Sequence, residues 1–223
     1  MKHLVVLTGA GMSAESGIKT FRGADGLWEG HDVMQVASPE GFKTNPELVL
    51  EFYNQRRRQL LTVNPNQAHI DLATLEKHFK VTIVTQNIDD LHERAGSTNV
   101  IHLHGELLKA RSIKDETIIL DWNEDLNLGD LDKNGNQLRP HIVWFGEAVP
   151  LIDTAVDICA TADLLLIIGT SLQVYPAASL MHYVPESTPK YFIDPNPSIS
   201  SNKHLTVIPE TATNGMNTFI SIL

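Results

Sequence analysis

Leu4-Val5-Val6-Leu7-Thr8-Gly9-Ala10-Gly11-Met12-Ser13-Ala14-Glu15-Ser16-Gly17 decides the fold: four apolar residues in a row, then ten that are all small or polar except Met12 and include three glycines. A short unbroken apolar run reads as a strand covered on both faces. The small-residue stretch after it reads as a loop leading into a helix. Glycines let backbone approach a pyrophosphate, and exposed N–H groups at a helix start attract its charge. The loop lacks a strict GxGxxG spacing, and a tight strand-to-helix turn would by itself call for Gly9 and Gly11.

The same rhythm continues along the chain. Apolar runs at 4–7, 81–85, 99–103, 164–168 and 191–193 predict strands, with a weaker sixth at 206–208. Helical patterns over 46–61, 66–78, 89–95, 151–160, 177–183 and 213–222 separate them. Alternating β and α segments predict an α/β fold built on a doubly wound parallel sheet. Pro46 after Asn45, and Asp89 in a first turn, are helix-start signals.

In such sheets ligands bind beyond the carboxyl ends of the strands, and those ends are where this sequence turns polar. Thr85-Gln86-Asn87-Ile88-Asp89-Asp90-Leu91-His92 follows one strand and Gly169-Thr170-Ser171 another. The plain alternative for the first is a helix start, Asn87 capping and Asp89 or Asp90 offsetting the dipole. His102-Leu103-His104-Gly105 stands at a third end. Alternation puts the two imidazoles on one face, as a metal pair or as a base with a structural neighbour. No third ligand is identifiable nearby, and a strand-end histidine before glycine suits a proton acceptor. His69, in a helix's first turn, reads as structural.

One stretch, 109–139, carries seven acidic residues without an amphipathic helix and reads as a small inserted module. Its Asn134-Gly135 pair signals a hairpin turn. Asp130, Asp132 and Asn134 imitate half a calcium loop, but His141 stands where the closing glutamate belongs.

Composition sets the outer limits. At 223 residues, 42% hydrophobic and 20% charged, with a mean hydropathy of −0.10, the chain excludes a disordered or collagen-like polymer. Lys and Arg number 17 against 27 Asp and Glu, a net charge of −10 that disfavours a nucleic-acid partner. The single cysteine, Cys159, rules out an intrachain disulfide and cysteine-built zinc sites. Its spacing from Ile152 and Val156 places it on a packed helix face. The longest apolar run, at 164–168, falls far short of the ~20 residues of a membrane span, and the N-terminal run is too short for a secretory h-region. The expected location is the cytoplasm, with no membrane partner.

Taken together, 9–18, Phe21-Arg22, 85–89, His104-Gly105, the PHIVWFGE word of 140–147 and 169–172 resemble the sirtuins, NAD-dependent protein lysine deacylases. These words run in the family's order over most of the chain. The resemblance implies a Rossmann-like sheet as 1–108 with 140–223, and a small zinc-free insert at 109–139 with a helical segment about 30–64. It implies NAD, consumed as co-substrate, held at its phosphates by Ala10, Gly11, Arg22, Thr170 and Ser171, with Gly9 and Gly169 also in the cofactor-binding set. Gln86, Asn87 and Asp89 would set the nicotinamide and its ribose, Phe21 would shield the anomeric carbon, and His104 would be the general base. Val143, Trp144, Phe145 and Gly146 would pair with the backbone of an acyl-lysine protein or peptide. A Tyr-x-x-Arg pair, here Tyr53 and Arg56, resembles that of sirtuins preferring succinyl or malonyl groups. The plain alternative is a solvated basic turn at 56–58.

The chain also departs from the family. The four zinc cysteines are missing, Ser112 standing about where the first would be, so no zinc is expected. The insert's core would then fall to Ile118, Ile119, Leu120, Trp122, Leu126, Leu128 and Leu131. Ile18-Lys19-Thr20 replaces a common Ile-Pro-Asp, and Ile193-Asp194 a common Ile-Asn. The competing functions are a mono-ADP-ribosyltransferase and a catalytically silent NAD or ADP-ribose binding module.

Overall fold

The computed structural model describes residues 1–19 and 27–223; Phe21 and Arg22 lie outside the described residues. The chain opens with β1 (His3–Thr8) and a single turn α1 (Gly11–Ala14). After a two-residue hairpin, β2 (Leu27–Trp28) and β3 (His31–Asp32), come α2 (Val33–Val36), α3 (Pro39–Thr44) and the long α4 (Pro46–Leu60). Then α5 (Gln67–Leu75), β4 (Lys80–Thr85), α6 (Leu91–Arg94) and β5 (Val100–His102) lead to β6 (Gly105–Ser112), β7 (Ile119–Asp121) and β8 (Leu138–Ile142). Next are α7 (Ile152–Ala160), β9 (Leu164–Ile168), a 3₁₀ helix (Ala177–Tyr183), β10 (Lys190–Ile193), β11 (Leu205–Ile208) and α8 (Ala212–Ser221).

Six strands form one parallel sheet in the order β11-β10-β9-β1-β4-β5. Numbered within that sheet the order is 6-5-4-1-2-3, the doubly wound Rossmann arrangement. The strand order reverses between β1 and β9, so the loops after them flank the crevice where such sheets bind ligands. Both faces are covered. Leu4, Val6 and Ile83 pack under α5 and α8, while Val5, Leu7 and Ile167 pack under α7 and the 3₁₀ helix. That double burial is why these strands are continuous apolar runs. No helix among the described residues is long and apolar enough to cross a membrane.

Helix starts follow local chemistry. Asn45 Oδ1 accepts from Leu48 N–H with Pro46 at the first position, and Ser38 Oγ accepts from Gly41 N–H with Pro39 at the first position. The helix expected over 66–78 stops at Leu75, because Lys77 and His78 N–H bond to Thr74 and Leu75 carbonyls in tighter i→i−3 turns. Likewise 177–183 winds as 3₁₀ after Pro176, not as α.

A second sheet, antiparallel in the order β7-β6-β8, stands apart. The core expected for this module does not form. Ile119, Leu120, Leu128 and Leu131 are exposed, and only Leu126 is fully buried, with Trp122 packed beside it against Leu50, Ala110 and Leu138. Polar contacts substitute: Asn54 brackets the Leu126 backbone with both side-chain atoms, at 2.8 and 3.1 Å. The Asn134-Gly135 turn is present, Gly135 at φ +81° and Leu131 bridging Gln137.

Candidate active site

The loops after β1 and β9 interlock. Gly9 N–H donates to Ile168 O and Gly11 N–H to Gly169 O, at 3.2 and 2.8 Å. A Cβ on Gly11 would sit 2.7 Å from Gly169 Cα, one on Gly9 2.7 Å from Thr170 Cβ, and one on Gly169 would fall on Met12 N. These three glycines are therefore required by loop-on-loop contact, whatever ligand lies above them. Ala10 is half-buried beside them, and Ser171 is exposed, its carbonyl accepting from Ser198.

The β4 end closes onto that pair of loops. Gln86 Nε2 donates to Thr170 Oγ1 at 3.2 Å. Asn87 Nδ2 donates to Gly9 O and to Ser13 Oγ, and Ser13 Oγ–H donates to Asp89 Oδ2 at 2.9 Å. Asp89 Oδ1 takes Leu91 N–H, so Asp89, not Asn87, engages the first N–H of α6, whose N-cap position is Asp90. Burial pushes the Asp89 carboxyl up, against the pull of Ser13 and Leu91. Ser13 is a functional position that the sequence signals only weakly, by a lone hydroxyl in an otherwise apolar first turn.

The two histidines part ways. His102 Nδ1 meets Asn87 O and its Nε2 meets Glu93 Oε1 at 2.8 Å; burial lowers its pKa, but the Glu93 carboxylate outweighs that and raises it. Both ring nitrogens of His102 are thus engaged, and it is a structural partner of Glu93. His104 Nδ1 lies 3.0 Å from Gln86 O, an acceptor that obliges Nδ1 to carry the proton. Nε2 is then the unprotonated nitrogen, and burial keeps this imidazole's pKa low, only partly opposed by the carbonyl. That is the state a general base needs. The described residues hold no group of three metal-ligating side chains. His69 is structural as read: it closes a capping box with Asn66.

Val143 N–H donates to His104 O, linking the 143–146 stretch to the site. Phe145 N–H is taken by Ala37 O and Trp144 N–H by Glu147 Oε2, so an added strand must use other groups than those N–H donors. Trp144 itself is buried; its indole N–H donates to Tyr53 Oη at 3.0 Å, and its ring stacks under the Arg139 guanidinium. Tyr53 is buried too, which pushes its hydroxyl pKa up. Arg56 lies over the Phe52 ring at 3.2 Å, and burial lowers its pKa to about 10. It shares a cavity of ≈60 Å³ with Trp28, Ile88, Asp89 and Leu107. One ion-pair hub was missed by sequence: Glu147 receives Arg139 at 2.6 Å and Arg111 at 3.3 Å. Nothing in the spacing of residues 111, 139 and 147 announces it, because the antiparallel register of β6 and β8 creates it.

Comparison with known proteins agrees with this geometry. Residues 9–176 match the Sir2 family. An NAD-dependent protein deacylase of Helicobacter pylori (strain ATCC 700392 / 26695) is 64% identical over 92% of this chain and 88% of its own length. One from Bacteroides thetaiotaomicron is 53% identical over 100% of this chain and 98% of its own. The crystal structure of a Sir2 homolog–NAD complex superposes with a TM-score of 0.88 at 39% identity, covering 99% of this chain and 89% of that one.

Proposed function

The chain belongs to the Sir2 family, and from that premise we propose that it removes acyl groups from protein lysines at the expense of NAD, releasing nicotinamide and O-acyl-ADP-ribose. The observation that carries the reading is His104, its Nδ1–H bonded to Gln86 O and its Nε2 left as the base at the strand end where Gln86, Asn87 and Thr170 converge. The donor set suits a dinucleotide: loop N–H groups and the Thr170 and Ser171 hydroxyls for phosphate oxygens, side-chain amides and a carboxylate for the ribose and nicotinamide. NAD would supply the electrophilic glycosidic carbon; the chain's residues orient it and move one proton. Asn87, fixed by Gly9 and Ser13, holds the ribose in place. The acyl oxygen of the substrate amide would bond to the ribose anomeric carbon as its bond to nicotinamide breaks; His104 would then take a proton from a ribose hydroxyl, so that this oxygen attacks the acyl carbon now joined to the sugar. Water then frees the lysine.

The acyl group is read as succinyl or malonyl as well as acetyl. Arg56 shares its cavity with Asp89, which brings a guanidinium to the same space as the nicotinamide-side carboxyl. Tyr53 is buried outside that cavity, its hydroxyl accepting from Trp144, so the carboxylate-binding group of the pair is Arg56. Its planar guanidinium favours a carboxylate over a methyl group. The division into a nucleotide lobe, 1–108 with 140–223, and an insert, 109–139, belongs to this reading.

The experiment is mass spectrometry of products from NAD with matched acetyl- and succinyl-lysine peptides. O-acyl-ADP-ribose in wild type and its loss in His104→Ala are expected. ADP-ribose bound covalently to protein, or no turnover, would overturn the reading. An unchanged succinyl-to-acetyl ratio in Arg56→Met would remove the acyl assignment alone.

A further inference from the structure

Behind Asn87 lies a run of buried polar groups that the chemistry above does not use. Thr8 and Thr85 end their strands on the face otherwise filled by Leu4, Val6 and Ile83, and their hydroxyls meet at 2.8 Å. Thr85 Oγ1 also accepts the Asn87 N–H at 3.0 Å. Thr8 Oγ1 lies 3.1 Å from His92 Nε2. Because the Thr8 hydroxyl proton goes to Thr85, Thr8 must accept from His92, which puts the His92 proton on Nε2 and leaves Nδ1 bare.

His69 is ordered the same way. Its Nδ1 lies 3.1 Å from Asn66 Oδ1 and 3.3 Å from the Asn66 N–H; because that oxygen already accepts the N–H groups of Ala68 and His69, Nδ1 serves as the acceptor that closes the capping box. The His69 proton therefore sits on Nε2. His69 Nε2 and His92 Nδ1 are both buried without a partner among the described residues, and their rings lie 4.9 Å apart. One is a donor and the other an acceptor. Burial holds both imidazoles neutral, His69 with a pKa of about 4 and His92 well below its usual range.

We propose that His69 and His92 are positioning residues: a one-directional hydrogen-bond relay, Asn66 to His69 to His92 to Thr8 to Thr85, that fixes the backbone from which Asn87 reaches the ribose. The two imidazoles make no direct hydrogen bond, and one water between His69 Nε2 and His92 Nδ1 completes the relay. The relay takes Asn87's task from the reading above, but its geometry stands independently of it.

Nitrogen-15 NMR of the imidazoles tests it. Both histidines should be neutral Nε2–H tautomers at neutral pH; an Nδ1–H tautomer at His92, or a charged ring at either, overturns the relay. Kinetics of nicotinamide release give the second arm. His92→Leu and Thr8→Val should each lower kcat about tenfold with KM for NAD nearly unchanged, and the double variant should be no worse than either. His92→Gln, which keeps a donor near Nε2, should recover most of the rate. Multiplying losses in the double variant, or equal losses in His92→Gln and His92→Leu, overturns the proposal. Should His92→Leu not fold, Thr8→Val and the tautomers still decide it. A wild type that releases no nicotinamide refutes the functional reading and leaves the tautomer result to judge the relay.

Discussion

The two sheets of this protein are held by different forces. The parallel sheet buries both faces under helices, and at its functional edge two loops touch backbone to backbone because three glycines permit it. The antiparallel sheet leaves Ile119 and Leu120 exposed and closes instead through Glu147 between two arginines, and through Asn54 on the Leu126 backbone. Non-directional burial tolerates small adjustments, whereas close backbone contact and shared carboxylates do not. The difference teaches where each half should break.

The largest effect is expected at Gly169→Ala. The residue sits at φ +65°, and the added Cβ would fall on Met12 N and close against Gly11, both backbone. Backbone cannot swing aside as a side chain can, so the cost is at least about 4 kcal/mol of unfolding free energy. Gly135→Ala in the small module is the control: φ is +81°, but nothing lies within 4 Å of the new carbon. Only the conformational penalty remains, about 1 kcal/mol. Urea unfolding of both variants checks this, and equal costs would mean that the loop interlock is not what Gly169 serves.

Next comes acid. His69 is neutral in the folded protein with a pKa of about 4, whereas an unfolded histidine titrates near 6.5. Above that range neither state binds the proton and nothing is lost. As pH falls through it, the unfolded chain is protonated first, so stability declines between about 6.5 and 4, by about 3 kcal/mol from this group. His69→Asn, compared with wild type across that window, should show a shallower decline. A parallel decline would place the acid sensitivity elsewhere, in the ion-paired module.

Breaking the small module's hub should cost less. Glu147→Gln leaves Arg139 and Arg111 facing a neutral amide while keeping shape. Removing one partner of a buried pair costs ~3–5 kcal/mol, and the partial exposure of Glu147 reduces that to about 2. The loss should shrink in high salt, which the Gly169→Ala loss should not, since screening acts on charge and not on steric overlap.

How much of this was legible in the sequence follows from the same division. The strands at 4–7, 81–85 and 164–168 could be read because burial on both faces demands unbroken apolar runs, a pattern carried by neighbouring residues. The strand ends were readable because polarity appears abruptly there: Thr85-Gln86-Asn87 after Val81 to Val84, Gly169-Thr170 after Ile168. The β6–β8 pairing was not, because it joins residues some thirty apart in the chain through backbone bonds and charges that leave no periodicity. That is why leucines assigned to a core there turned out exposed, and why Arg111, Arg139 and Glu147 went unnoticed. The glycines were read for a phosphate, and only three dimensions showed that the facing loop needs them too.

The smallest effect expected is none, and it bears on what holds the small module together. Ser112 Oγ accepts the N–H groups of Lys114 and Asp115. Asp132 gathers the Asn134 N–H, the Asn136 N–H and the Asn136 side-chain amide on one carboxylate. Its bond to Ser112, followed by those from Asn136 and Asn134, lowers the Asp132 pKa to about 2. The Asp132 carboxylate is thus engaged by N–H donors of its own turn, and Cys159 is buried in the helix α7 under the other sheet, its thiol pushed up to about 12. A structural metal contributes folding energy directly, so a chelator should lower Tm wherever one is bound. Here EDTA should move Tm by less than about 1 °C, while Asp132→Ala, which empties the carboxylate that ties the turn together, should lower it. A chelator-sensitive Tm would mean that the small module, like the large one, depends on a contact not readable from its side-chain pattern, and the contrast between the two sheets would lose its basis.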